Sequence, residues 1–422
     1  MNYEEALAYI HGTKKYNTKP GLTRIQNLLA DMGNPEKKMH YVHVAGTNGK
    51  GSSTAMMASV LMHAGYKTGS FISPFLERFN ERMQINGEPI PDGKLAEMTE
   101  KAKKHVDNIV AKGMVNPSEF ELLTAIAFDY WASEKCDFVS LEVGMGGTYD
   151  ATNVIECPEV AMIISISFDH MHYLGNTLTE IAGEKAGIIK EGGTVVCYAD
   201  QPAEALAVIK KNARFIQPDK NAVEILEAGM FGSRIRYSGI ETTVPLMGKH
   251  QVYNAIGVIE AARALREKGW NVSDEDISLG IAETKWVGRL EKVHEKPECI
   301  IDAAHNPDAV RVLSEAIDTL FSGKRLITVM GILADKDYAY CIPEIAKRSG
   351  IVVATTPTSG RALPAEKTAE IAALHCKEVY TEDSITKAVD KAFSLAGEGD
   401  LVLICGSLYV IGLAKTYIRE NK

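Results

Sequence analysis

Apolar positions along the chain recur with two alternating periods. Leu22, Ile25, Leu28, Leu29 and Met32 fall at helical spacing and stop at Gly33-Asn34-Pro35, which predicts an amphipathic helix with a sharp end. Tyr41-Val42-His43-Val44 then reads as a short apolar strand, followed by a glycine-rich stretch and a helical run from Ser53 to His63. The alternation continues with strands at 68–72, 138–143 and 160–165 and helices at 94–111, 119–134 and 177–190. Several of these strands are apolar without interruption and have helices between them, the pattern of a parallel sheet covered on both faces. Residues 223–246 differ: Arg234-Ile235-Arg236-Tyr237-Ser238-Gly239 predicts an antiparallel hairpin. A helix over 251–268 closes this first unit.

After the polar, Pro-containing stretch Glu295-Lys296-Pro297-Glu298 the strand–helix alternation restarts, with segments at 300–302, 307–320, 325–331, 338–348, 351–355, 365–374, 382–395, 401–405 and 408–419. A chain of 422 residues exceeds the size that one core serves. The predicted fold is therefore α/β in two domains. Residues 1–296 form a P-loop ATPase-type domain, a mostly parallel sheet flanked by helices; residues 297–422 form a smaller Rossmann-like α/β domain.

Composition narrows the function classes. The chain is 45% hydrophobic and 24% charged with a net charge of −9 and no long basic run, so it has no electrostatic footprint for nucleic acid or an anionic membrane. An anionic substrate must be met by local groups. Seven cysteines, scattered and never in a Cys-x-x-Cys pair, argue against a disulfide framework or a zinc knuckle and fit a reducing cytoplasm. The segment MNYEEALAYI lacks the basic-then-apolar order of a signal peptide, and no stretch approaches 18 uninterrupted apolar residues, so a soluble protein is expected.

Three stretches can carry chemistry. In HVAGTNGKGS (43–52) the glycine before Gly49-Lys50 is Gly46, only three positions back and so two short of the usual phosphate-loop spacing, and Gly51 stands before Ser52. Strand, glycine loop and helix follow in the order an anion site needs: unpaired backbone N–H groups and the helix dipole face the ligand, and Lys50 adds a positive charge. Glu142 and His170 are expected at the carboxyl ends of two apolar strands, where ligands gather in a doubly wound sheet. The residues alone favour a capping or buried hydrogen-bonded pair over magnesium ligands; imidazole is an unusual donor for so hard an ion. In IDAAHNPDA (301–309), Pro307 begins a helix; Asp302 and His305 face a cleft, while Asp302 and Asn306 also suit a capping role.

The motifs GTNGKGS (46–52), ISPFLERFNERMQING (72–87), EVGMGGTYDATN (142–153), SFDHMHYLG (167–175), EKAGIIK (184–190), GKHQVYNA (248–255), WVGRLE (286–291), DAAHNP (302–307) and CGSLYV (405–410) lie in one order along nearly the whole chain. Together they resemble the folylpolyglutamate synthase/dihydrofolate synthase family of the Mur ligase superfamily. The resemblance implies an ATP- and Mg2+-dependent ligase: a folate or dihydropteroate carboxylate takes the γ-phosphate of ATP, and L-glutamate displaces phosphate from the acyl phosphate. It implies that Gly46, Thr47, Asn48, Gly49, Lys50, Gly51 and Ser52 hold phosphate, and that Ser73, Glu142 and His170 hold magnesium. It further implies that Lys185 is carbamylated by CO2 and that Asn254, Arg289 and Asp302 contact ATP. His305, Ser407 and Tyr409 match the glutamate site. Glu119, Phe120, Glu121, Tyr149, Asp150 and Ala151 match the places where the pterin-bearing substrate lies, and 74–87 match a mobile loop. Phe75 and Tyr149 depart from the family pattern, which has His at the first position in many relatives and Arg or Lys at the second in some. A small-molecule ligase acting as a cytoplasmic monomer is implied.

Two alternatives stay open at this level. A cell-wall Mur enzyme acting on another carboxylate substrate carries an additional N-terminal domain, for which the 45 residues before Gly46 leave no room. A P-loop nucleotide-dependent switch is the other, although the chain lacks the Asn-Lys-x-Asp sequence that specifies guanine.

Overall fold

The computed structural model describes residues 1–13, 21–210, 213–229 and 232–422. Eight strands build the first sheet: β1 (His40–Ala45), β2 (Thr68–Phe71), β3 (Met83–Ile85), β4 (Glu88–Pro89), β5 (Phe138–Glu142), β6 (Val160–Ile163), β7 (Thr194–Cys197) and β8 (Arg214–Ile216). Their order is β4-β3-β2-β5-β1-β6-β7-β8; pairing is parallel from β2 to β8 and antiparallel only along the β2-β3-β4 edge. The central strands are apolar throughout because both faces are covered. Val42 and Val44 pack with helices Lys50–His63 and Lys249–Glu267 on one face, while Tyr41, Val139 and Leu141 pack with helices Asp92–Ala111 and Glu119–Ser133 on the other.

The hairpin predicted at 234–239 belongs to a small antiparallel sheet of β9 (Glu224–Gly229), β10 (Gly232–Tyr237) and β11 (Ile240–Val244). Its turn places Ser238 and Gly239 at φ +48° and +87°, the left-handed region that suits two-residue hairpin loops. Met230 and Phe231, within the stretch read as a hairpin, lie outside the described residues.

The third sheet has the order β12-β13-β17-β14-β15-β16, from β12 (Glu291–Glu295), β13 (Glu298–Asp302), β14 (Leu326–Met330), β15 (Ile351–Ala354), β16 (Val379–Thr381) and β17 (Leu401–Cys405), and only β12 runs antiparallel to its neighbour. Glu295-Lys296-Pro297-Glu298, expected to separate two domains at 296, is instead the hairpin turn between β12 and β13. Polar residues and proline mark a tight turn as readily as a linker.

Several short elements escaped the periodicity: helix Tyr3–Gly12, strands β3, β4, β7, β8, β12 and β16, and helix Asp274–Ala282. The last is fixed by tertiary contact, since Gly280 lets its backbone rest against that of Val60. Among the described residues no helix is long and apolar enough to cross a membrane, and all seven cysteines are unpaired.

Candidate active site

β1 ends at Ala45, and the chain turns through Gly46–Gly49 into the helix that starts at Lys50. Gly49 caps that helix at φ +83°, a conformation costly for any residue with a Cβ. Gly51 answers a different need: a Cβ there would overlap the ring of Trp286, which reaches over from the segment leading into β12. Thr47 pins the loop, its N–H donating to Ser165 O (2.7 Å) and its hydroxyl to Ser167 O (3.0 Å). Lys50 Nζ donates to the carbonyls of Gly46 and Thr47, both at 3.1 Å. Burial lowers the Lys50 pKa, with Glu142 and Asp169 opposing.

The loop floors a cavity of about 160 Å³ that also collects Ser73, Glu142, Asp169, His170, Lys185, Arg289 and His305. Glu142 ends β5, as expected; its Oε2 accepts from the Ser73 N–H at 3.0 Å, and burial pushes its carboxyl up to about 7, against the pull of Lys50. Lys185, on helix Leu178–Ala186, is buried rather than exposed. Its Nζ donates to Gly46 O at 2.8 Å, and burial brings its pKa down to about 7. His170 is not at a strand end: β6 stops at Ile163, and His170 lies beyond it at φ +51°, capping the short helix Met171–Leu174. Burial lowers its pKa to about 4 although Asp169 favours the charged form.

Sequence reasoning missed the residue at the centre of this array. Asp169 Oδ1 accepts from Lys336 Nζ at 2.7 Å, its Oδ2 accepts from Asn306 Nδ2 at 3.2 Å, and His170 and His305 stand 3.8 and 4.0 Å from Oδ2. Burial disfavours its charge, but Lys336 and the two imidazoles hold the carboxyl well below the usual range. The only signal in the sequence was its place beside His170. Asn48 extends the bridge, exchanging hydrogen bonds with Asn306 (3.0 and 3.3 Å) and donating to Asp308 (3.0 Å). Phosphate loop and C-terminal lobe are thus joined directly.

Three of the expected site residues also hold the structure around them. Asn254 is buried beneath the loop against Gly49 and bonded to Gln251, outside the cavity lining. Asp302 is buried with both oxygens engaged, by Leu290 N–H (2.9 Å) and Ala304 N–H (2.7 Å), so it fixes the strand ends that carry Arg289 and His305. Asp150 likewise caps a short turn through Thr152 and accepts from Met145 N–H, holding the 144–147 glycine loop.

A second cavity of about 560 Å³ adjoins the first and shares Ser73, Gly144, Gly146, His170 and His305 with it. Phe120, Glu121, Tyr149, Asp150, Ala151, Ser407 and Tyr409 all line it. Glu121 is also the partner of Arg24 at 2.9 Å, and Ser407 is also the N-cap of the last helix. Glu119 is not brought in; its carboxylate meets His11 at 3.1 Å on the surface.

Whether these residues suit Mg2+ is a question of donor chemistry. Among the described residues no three His, Cys, Asp or Glu side chains converge as a preformed metal cage. Magnesium seldom uses one: it binds through one or two carboxylates, retains waters and takes substrate phosphate oxygens. Glu142, a buried carboxylate with a single hydrogen-bond donor, faces the same small cavity as the phosphate loop, Ser73 and an uncharged His170, which fits that mode.

A glycine loop on a parallel sheet, facing a small cavity and joined across a cleft to a second α/β lobe, is the architecture of an ATP-dependent ligase of the Mur type. The Mur ligase middle domain matches residues 44–262, and the Mur ligase glutamate ligase domain matches residues 288–408. The chain is 40% identical to dihydrofolate synthase/folylpolyglutamate synthase of Bacillus subtilis, over 97% of each, and 36% identical to folylpolyglutamate synthase of Lacticaseibacillus casei, over 100% of each. Mycobacterium tuberculosis folylpolyglutamate synthase complexed with ADP and AMPPCP superposes with a TM-score of 0.88 at 30% identity, covering 99% of both chains. Escherichia coli FolC in complex with DHPP and ADP gives 0.87 at 29% identity, covering 100% of this chain and 98% of that one. The chain belongs to the folylpolyglutamate synthase/dihydrofolate synthase family of Mur ligases.

Proposed function

We propose that the protein joins L-glutamate to the terminal carboxylate of a folate, with dihydropteroate as a second acceptor, at the expense of ATP. The observation that carries this is the pair of adjoining cavities with a common wall at Ser73, Gly144–Gly146, His170 and His305: a small one on the phosphate loop and a larger one lined by aromatic and polar groups. Such a wall suits a carboxylate that must meet a γ-phosphate. A carboxylate oxygen attacks that phosphorus, the bond to the β-phosphate oxygen breaks, and ADP leaves. The glutamate amine then attacks the acyl carbon, inorganic phosphate departs, and the amine loses a proton.

In this reading Lys50 and the loop N–H groups stabilise the transferring phosphoryl group. Ser73, Glu142 and His170 would hold Mg2+, which would supply charge neutralisation between the two anions. His305, which lines both cavities, and Lys336, which lines the larger one, meet the incoming amino acid. Lys185 is the carbamylation site: an amine whose pKa is brought to about 7 is present in substantial part near neutral pH as the free base that reacts with CO2. The two lobes divide between helix Asp274–Ala282 and β12, and the enzyme works as a cytoplasmic monomer.

Dihydropteroate and tetrahydrofolate offered separately with ATP and glutamate test the acceptor, read by product mass. With 18O in the acceptor carboxylate, label is expected in released phosphate. Product formation with unlabelled phosphate would refute the acyl-phosphate route, and ADP release indifferent to both acceptor and glutamate would refute the ligase.

A further inference from the structure

The segment after Ser73 is clamped to the last helix of the C-terminal lobe in a way the reaction chemistry does not require. Gly412 lies buried in helix Leu408–Asn421, and a Cβ on it would overlap the carbonyl oxygen of Leu76. Glycine in a helix interior costs about 1 kcal/mol relative to alanine, so its use here marks a place where another backbone approaches. The Leu76 side chain continues the contact: a Cβ on Gly288 would lie 3.4 Å from Leu76 Cδ2 and 3.1 Å from Ile411 Cδ1.

Next to it the Glu77 carboxylate accepts from Thr416 Oγ1 at 2.8 Å and from Arg419 Nη1 at 2.7 Å. Lys415 stands 3.7 Å from Glu77 and 2.7 Å from Glu291, and Glu291 in turn accepts from the N–H of Gly288 at 2.7 Å. Loop, last helix and the segment between the lobes are therefore tied at one point. The loop itself is held rigid there, because the Glu81 carboxylate accepts from the consecutive N–H groups of Leu76 (2.8 Å), Glu77 (3.1 Å) and Arg78 (2.8 Å). Two residues upstream of Leu76 the same segment forms the Ser73–Pro74 wall shared by both cavities.

We propose that Leu76 and Glu77, seated on Gly412 and Thr416, are positioning residues that set the Ser73–Pro74 wall against the C-terminal lobe, and that turnover depends on Gly412 having no side chain. Exposed ion pairs contribute little by themselves; the backbone contact at Gly412 carries the placement, and Glu77 fixes its register. The proposal rests on the ligase activity described above.

Gly412→Ala tests it. The variant is expected to stay folded, since alanine favours the helix and offsets part of the strain of displacing Leu76, and to bind ADP with unchanged Kd. Its kcat is expected to fall by about 10²-fold, the scale of an ångström-level misplacement. Hydrogen exchange of the 75–82 amides should quicken. Glu77→Ala should reduce kcat with the same quickened exchange, and Glu77→Gln, which retains acceptors for Thr416 and Arg419, should recover most of it. Wild-type kcat in a folded Gly412→Ala enzyme overturns the proposal. So does a loss confined to ADP affinity or Tm, or unaltered exchange over 75–82. Should Gly412→Ala fail to fold, wild-type kcat in Glu77→Ala overturns it. The wild-type enzyme in the same assay reads the ligase activity alone, and the exchange experiment needs no turnover, so the two ideas fail separately.

Discussion

Lys185 and Glu142 show how burial retunes ordinary side chains. Each is brought to a pKa of about 7, from opposite directions, because desolvation disfavours whichever form is charged. Periodicity places Lys185 on a helix and says nothing of its burial; only packing against Gly46 does. If Lys185 acts as a carbamate, Lys185→Ala is expected to lose at least about 10²-fold in turnover, the scale of a removed electrostatic stabiliser, and short carboxylates to restore part of it. Near-native activity without additive would exclude that role. His43 offers a pH test away from the reacting groups. It lies buried in β1 with Nε2 2.8 Å from Thr152 Oγ1, and burial lowers its pKa from 6.5 to about 3. Between those values the unfolded chain binds the extra proton, so stability is full above pH 6.5 and falls as pH drops toward 3. His43→Gln, which keeps an N–H donor, should flatten that slope in urea midpoints; an unchanged slope would assign it to another group.

At the level of elements, the glycine loop between strand and helix was legible because all three are contiguous in sequence. The reason for Gly51 was not, since Trp286 arrives from a distant segment. Gly51→Ala is expected to cut kcat by about 10²-fold through loop displacement, and the penalty should shrink in a Trp286→Ala background, as contacting residues couple. Equal penalties in both backgrounds would show that overlap with Trp286 is not the cause. Glu142 fell where expected, at the end of a buried strand, whereas His170 did not. Apolar character continued past Ile163 into Ile164 and Ile166, so hydrophobicity alone could not show where β6 stops pairing. The hairpin turn at 295–298 was misread for a related reason, because composition does not distinguish a two-strand turn from a boundary.

For the whole molecule, the bridge between lobes is the Asp169–Lys336 pair, with both side chains almost fully buried, supported by Asn48, Asn306 and Asp308. Lys336→Met would leave Asp169 without its main partner, a change that costs about 3–5 kcal/mol in buried pairs. A lower urea midpoint is expected, with recovery on adding Asp169→Leu; an unaltered midpoint would mean the pair does not join the lobes. By itself the sequence determined the α/β class, the position of nearly every long helix and central strand, the glycine loop between strand and helix, and the family, because these follow from local periodicity and from motifs read in order. Tertiary structure alone decided that Asp169 is central, that Asp302 and Asn254 support rather than line the cavity, that Glu119 stays outside, and that Gly412 receives the loop from the other lobe. Those facts depend on which distant segments exclude water from one another, and desolvation and close approach are properties of three-dimensional neighbours.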